Sequence, residues 1–341
     1  MDFVQNFPCI SIILCLFAGI ISSGLRDKAA MWLNAALLTA NTLLSAFTLT
    51  YTLSIGQPFV YVMGKFPAPW GNEIRAGALE ALMALFFCVI MLLSLFGGRQ
   101  KLVEEVEEGK TYLYYVLTDL LLSSLLALVY TNDMFTAYVF VEINTIAACG
   151  LIMIRQNGRT IEAAVRYMIM SLLGSGMLLL GLCMLYDLTG HLLMSNMKES
   201  VSLLVANSQY QIPLIVSIVL VSVGLCIKSA LFPFHAWLPN PYGYSTVSSA
   251  AILSSLVSKG YIFLLIKIIC RVIGFDIYRD TRIIDILFVF GLMGMIFGSI
   301  SAIRENDVHR MIAYSSVAQI GYIYMGFGMG TQVGMIASIF R

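Results

Sequence analysis

The chain has 341 residues, of which 59% are hydrophobic and only 11% charged, with a net charge of +1 and a mean hydropathy of +0.87. A soluble domain carries about a quarter charged residues, and a nucleic-acid binder carries a basic surplus; this composition excludes both. Apolar runs of about 20 residues match a hydrocarbon core of ~30 Å. They are too continuous for barrel strands, which alternate and are about half as long, so the chain reads as an all-α polytopic membrane protein.

In chain order the predicted spans are 7–25, 29–54, 78–96, 112–131, 135–154, 161–186, 212–231, 246–270, 284–303 and 311–329, with an eleventh starting near 332. That is ten to eleven transmembrane helices in a single domain, 1–341. The opening Met-Asp-Phe has no basic region before the first apolar run, so that run reads as an uncleaved span rather than a removed signal peptide. Segment 97–110, with Glu104, Glu105, Glu107 and Glu108, reads as a solvated loop, and 188–211 as a moderately polar, partly helical one. Starting outside places nine cations in cytoplasmic loops (Arg26, Lys28, Arg99, Lys101, Lys110, Arg155, Arg159, Arg304, Arg310). Six lie opposite (Lys65, Arg75, Lys198, Arg271, Arg279, Arg282), which favours an outside N-terminus.

The seven cysteines, at 9, 15, 88, 149, 183, 226 and 270, are scattered singly along apolar segments. Zinc and iron–sulfur sites need several close thiolates, so the cysteines read as core fillers. No metal or cofactor is expected in this chain, any redox group belongs to other subunits, and no catalytic chemistry is evident. Gly326-x-Gly328-x-Gly330 closes a span without a preceding strand and is not a dinucleotide fingerprint. Gly294-x-x-x-Gly298 and the set Gly174, Gly176, Gly181 have the spacing of close helix packing.

Polar residues inside the spans carry the functional signal, since a charge at membrane depth costs about 3 kcal/mol or more and usually serves ion or proton movement. In span 5, Tyr138, Glu142, Thr145 and Cys149 share one helical face. Glu142 suits proton transfer, or else a structural ion pair locking two helices. In span 7, Ser217, Val221, Gly224 and Lys228 share a face, and Gly224 leaves room for water or a bend. Lysine, unlike arginine, can lose its proton when buried. Pro233 and Pro239 then interrupt the helix, and a broken helix at a charged site opens backbone to a hydrated cavity. In span 8, Ser248, Ser255 and Lys259 line a face suited to ordered water or to plain helix contact. His235, in the loop with Pro233, Pro239 and Pro241, is a proton relay or a structural residue. Among weaker candidates, Arg166 is placed to hold Glu142 or another acid, and Asp133 to cap a helix. Asp119 has no obvious partner, and His191 and His309 read as loop or interface residues.

Four blocks resemble the antiporter-like, proton-conducting membrane transporter family, which includes antiporter-like subunits of complex I, the A-type and D-type subunits of Mrp sodium/proton antiporters, and subunits of membrane-bound hydrogenases. The blocks are Pro67-Ala-Pro-Trp-Gly-Asn-Glu-Ile-Arg75, Asp133-Met-Phe-Thr-Ala-Tyr-Val-Phe-Val-Glu142, Lys228-Ser-Ala-Leu-Phe-Pro-Phe-His-Ala-Trp-Leu-Pro239 and Asp307-Val-His-Arg-Met-Ile-Ala-Tyr-Ser-Ser316. The resemblance implies that Glu142, Lys228 and Lys259 are the family's span-5, span-7 and span-8 charges, moving protons along the membrane midplane. It also implies inverted five-helix repeats: helices 1–3 in 1–111, a first repeat in 112–270, and the start of a second in 284–341. Leu253, Ser254 and Ser255 stand where complex I members often have a histidine, which leans toward the D-type Mrp subunit or the hydrogenase type. His309 replaces the usual lysine. The sequence ends just into an eleventh span, so it is a fragment, or is completed by another chain, or does not conduct alone. Three readings are open: a subunit translocating protons, or protons against sodium, among other membrane subunits of a prokaryotic cell membrane; an energy-transmitting subunit of a redox-driven pump; or a non-conducting scaffold.

Overall fold

A computed structural model describes residues 2–63, 66, 71–207 and 210–339. Lys65 and residues 67–70 of the first motif block lie outside these. The chain forms two compact units, Met1–Ile161 with Ser245–Gly260, and Glu162–Tyr244 with Tyr261–Arg341.

The first unit contains α1 (Phe7–Ser23), α2 (Asp27–Ile55), the strands β1 (Phe59–Val62) and β2 (Glu73–Ala76), then α3 (Ala78–Glu105), α4 (Thr111–Tyr130) and α5 (Met134–Met153). In α2 the buried residues Asn34, Asn41, Ser45, Thr48 and Thr52 recur at helical spacing. Trp32, Leu43, Phe47 and Leu53 are exposed, as suits a helix with one side in lipid. Gly56 ends α2 in the left-handed conformation, φ +69°, and its N–H donates to the Thr52 carbonyl. β1 and β2 pair antiparallel, Phe59 opposite Ala76. This small hairpin is an addition to the all-helical expectation, built from the β-branched and aromatic Phe-Val-Tyr-Val run between turns.

α3 continues to Glu105, so most of the expected loop 97–110 is helix. The apolar run stops at Phe96, but Leu102 is buried and Glu105 is held by tertiary contacts: it accepts the Val247 N–H at 3.1 Å and pairs with Arg155 at 3.8 Å. Helicity there follows packing rather than hydropathy.

The second unit takes α6 (Gly158–Thr189) from Glu162 onward, then α7 (Met194–Ala206), α8 (Gln211–Lys228), a 3-10 turn Phe234–Trp237 and α9 (Pro239–Tyr244). The helix α10 (Val247–Ile273) passes from the first unit into the second. It is followed by α11 (Phe275–Asp280), α12 (Ile283–Arg304), α13 (Val308–Gly328) and α14 (Gln332–Ile339). α12 and α13 pack closely at Gly291, Gly298 and Gly321, where an added Cβ would run into backbone of the facing helix, while one on Gly294 would lie at ordinary contact distance, 3.5 Å, from Gly321 Cα. That is the arrangement the small-residue spacing predicts.

Among the described residues eight helices are long and apolar enough to cross a membrane, α2 to α6, α8, α10 and α12. α1 is apolar but has 17 residues, and α13 coincides with the tenth predicted span.

Candidate functional site

Glu142 lies on α5, half-buried, with Thr145 and Cys149 buried further along its face. The Thr145 hydroxyl donates to the Val141 carbonyl at 2.9 Å, one turn back. Asp133 caps α5 as predicted: its carboxylate accepts the Thr136 N–H at 2.6 Å.

The span-8 face is modified. Leu253–Val257 is a π-turn, which holds an extra residue and rotates the helix beyond it. The simple alignment of Ser248 and Ser255 with Lys259 therefore does not persist. Ser254 and Ser255 both donate to the Ala251 carbonyl, and the Lys259 ammonium donates to the Ser254 carbonyl. Ser248 serves helix contact: its carbonyl accepts from Ser94 at 3.1 Å, and its side chain fills the space opposite Gly98.

Asp119 is wholly buried on α4, and its partners come from distant sequence. Asn34 Nδ2 donates at 2.5 Å and Ser22 Oγ at 3.4 Å.

In the second unit Lys228 is 1% exposed. It occupies the last turn of α8, where the helix dipole favours a cation. Its Nζ stands 5.4 Å from the centre of the Tyr261 ring. Gly224, expected to leave room for water or a bend, instead admits another backbone: a Cβ there would lie 2.6 Å from the Gly174 carbonyl oxygen, and one on Gly174 would lie 3.0 Å from Lys228 Cγ. This glycine pair lets α6 pass directly beside the lysine stem.

Beyond Lys228 the helix stops. Ala230 turns left-handed at φ +60°, Pro233 removes a donor, and Ser229 shares a 2.7 Å hydrogen bond with the Tyr324 hydroxyl. Trp237 Nε1 donates back to the Ile227 carbonyl at 3.4 Å and packs edge-on against Tyr167. The predicted helix break is therefore present, and it is held from several directions. His235 stacks on Phe232, which stacks on Phe297. Its Nδ1 is buried and has no hydrogen-bond partner among the described residues. Burial pushes this imidazole below its ordinary pKa.

Arg166 pairs with Glu162, one turn back on the exposed face of α6, at 2.7 Å. Sequence reasoning passed over Lys267, which is 3% exposed and eight residues beyond Lys259 in α10. A cation inside Tyr-Ile-Phe-Leu-Leu-Ile-Lys-Ile-Ile was the available signal.

Residues 131–341 match the family model described as "NADH:quinone oxidoreductase/Mrp antiporter, TM". The N-type subunit of the NADH-quinone oxidoreductase of Desulforudis audaxviator is 34% identical over 301 residues, covering 86% of this chain and 57% of that protein. The D-type subunit of the Na(+)/H(+) antiporter of Alkalihalophilus pseudofirmus is 26% identical over 281 residues, covering 82% and 55%. The chain thus spans less than two thirds of these curated relatives. Among solved structures, a chain of an archaeal membrane-bound sulfane sulfur reductase superposes over all of this chain and 67% of its own, with a TM-score of 0.88 and 25% identity. A chain of the Mrp complex from Dietzia gives 0.86 at 24% identity, over all of this chain and 61% of its own. With 131–341 matched and the helical fold shared, this chain belongs to the family of antiporter-like transmembrane subunits found in NADH:quinone oxidoreductases and Mrp antiporters.

Proposed function

We propose that this chain translocates protons as one subunit of a larger membrane assembly, using Glu142, Lys228, Lys259 and His235 as proton-carrying groups. The observation that carries this reading is Lys228. A lysine 1% exposed at the end of a membrane helix, where the backbone breaks, is costly for packing alone and suited to reversible proton loss. His235 in the following loop supplies a second titratable group close by in sequence. Lys267, 3% exposed in the second unit, is a further buried amine. Ser255, Ser248, Arg166 and Asp133 support that machinery by packing, capping or hydrogen bonding. We place the chain in a prokaryotic cell membrane with its N-terminus outside, following the cation balance of its loops.

The test is gradient formation in membrane vesicles carrying Glu142→Gln or Lys228→Ala. Both variants assemble, and both lose the gradient; normal gradients in both would sink the reading. A second reading is favoured by the similarity to an NADH-quinone oxidoreductase subunit: the same translocation, driven by redox partners. Mass spectrometry of the gently purified complex separates the two, because redox partners mean a driven pump and small membrane subunits alone mean antiport.

A further inference from the structure

Asp119 has 0% exposure, and among the described residues no lysine or arginine forms an ion pair with it. Its two carboxyl oxygens receive the Asn34 amide and the Ser22 hydroxyl. Asn34 also donates to Thr118 Oγ1 at 3.3 Å, so three helices meet around one carboxyl. The titratable group facing it from α1 is the Cys15 thiol, which in turn neighbours Cys88 of α3. Neither is a cation. A buried carboxylate without a counter-charge costs several kcal/mol, and taking up a proton removes that cost.

The site is not isolated. Asp119 lies eight residues from the start of α4, about 12 Å along the axis. That end is fixed beside the start of α2, since the Tyr112 N–H donates to Asp27 at 2.9 Å. Away from Asp119, the buried row of α2 continues through Asn41, bonded to Cys15 at 3.1 Å, and Ser45, 3.8 Å from the Cys88 sulfur, to Thr48 and Thr52. Glu80, buried in the first turn of α3, accepts the Gly77 N–H at 3.0 Å.

We propose that Asp119 is a second proton-binding site, separate from Glu142, Lys228 and Lys259. It holds a proton as the neutral acid at neutral pH and exchanges it with water. Binding takes the proton from hydronium and forms one O–H bond on a carboxylate oxygen, and release breaks that bond and returns the proton to water. The Asn34 amide and Ser22 hydroxyl hold the carboxyl in place in both forms. This does not depend on the function proposed above.

The test is infrared difference spectroscopy on the full chain with its native partners, reconstituted in phospholipid vesicles, from about pH 5 to about pH 9. A protonated-carboxyl C=O band is expected at neutral pH, shifting on transfer to D2O, lost in Asp119→Asn and retained in Glu142→Gln. The absence of any Asp119-dependent band would mean the group is ionised and overturns the site. A band that ignores D2O would mean a locked structural acid and overturns the exchange. Loss of the band on adding sodium chloride but not choline chloride would mean a sodium site, and also overturns the assignment. Should Asp119→Asn fail to assemble, Asn34→Ser removes the amide donor and must move the same band; an unmoved band is then the refuting result.

Discussion

Lys228 and Tyr261 meet as cation and ring, with Nζ 5.4 Å from the ring centre and both residues buried. The ring's negative face offsets part of the cost of burying the ammonium, by about 0.5–2 kcal/mol. Tyr261→Phe keeps the face and is expected to leave assembly and gradient formation near wild type. Tyr261→Leu removes it and should lower the melting temperature, or the gradient, or both. Equal behaviour of the two variants in a melting and transport assay would rule out the ring as a support for Lys228.

The contact between α6 and α8 rests on two hydrogen atoms where other residues carry a methyl. Gly224→Ala places a carbon against the Gly174 carbonyl and the Leu178 backbone, and overpacking of this kind costs about 1–3 kcal/mol. Gly176→Ala, on α6 but with nothing within 4 Å of the added carbon, should be neutral or slightly stabilising, by up to about 1 kcal/mol. Thermal unfolding in detergent separates them, and similar losses from both would contradict the close approach.

Asp133 holds the start of α5, the helix that carries Glu142. Asp133→Ala is expected to destabilise by about 1 kcal/mol and Asp133→Asn by much less, because the amide oxygen still caps. Denaturant unfolding monitored by circular dichroism checks the order of the three proteins.

His235 gives a pH dependence with a definite sign. Burial lowers its pKa from 6.5 in the folded state, so the unfolded chain takes up the proton first as the pH falls. Stability is full above about pH 6.5 and declines below it until folded His235 itself protonates. His235→Gln should flatten that decline. An unchanged slope of melting temperature against pH would exclude His235 as its source.

Much of this was legible in the residues. The span starts and stops fall within a few positions of the helices, because lipid demands long apolar runs, and Asp133 and the break after Lys228 follow local rules of capping and proline. The partners of Asp119 were not legible, since Ser22 and Asn34 are 97 and 85 residues away and hydropathy carries no pairing information. The end of α3 was not legible because Glu105 there is held by the Val247 N–H and Arg155, contacts that hydropathy does not report. The serine stripe of span 8 was drawn on an ideal helix, and no composition signal marks a π-turn.

That π-turn has an angular consequence. One additional residue in a helix is worth about 100° around its axis. Lys259 therefore points about a quarter of a revolution or more away from the direction that a regular helix would give it relative to Ser248. The compass bearing of the ammonium is set by five residues, Leu253–Val257, that carry no charge themselves, and deleting one of them would swing the lysine without altering it.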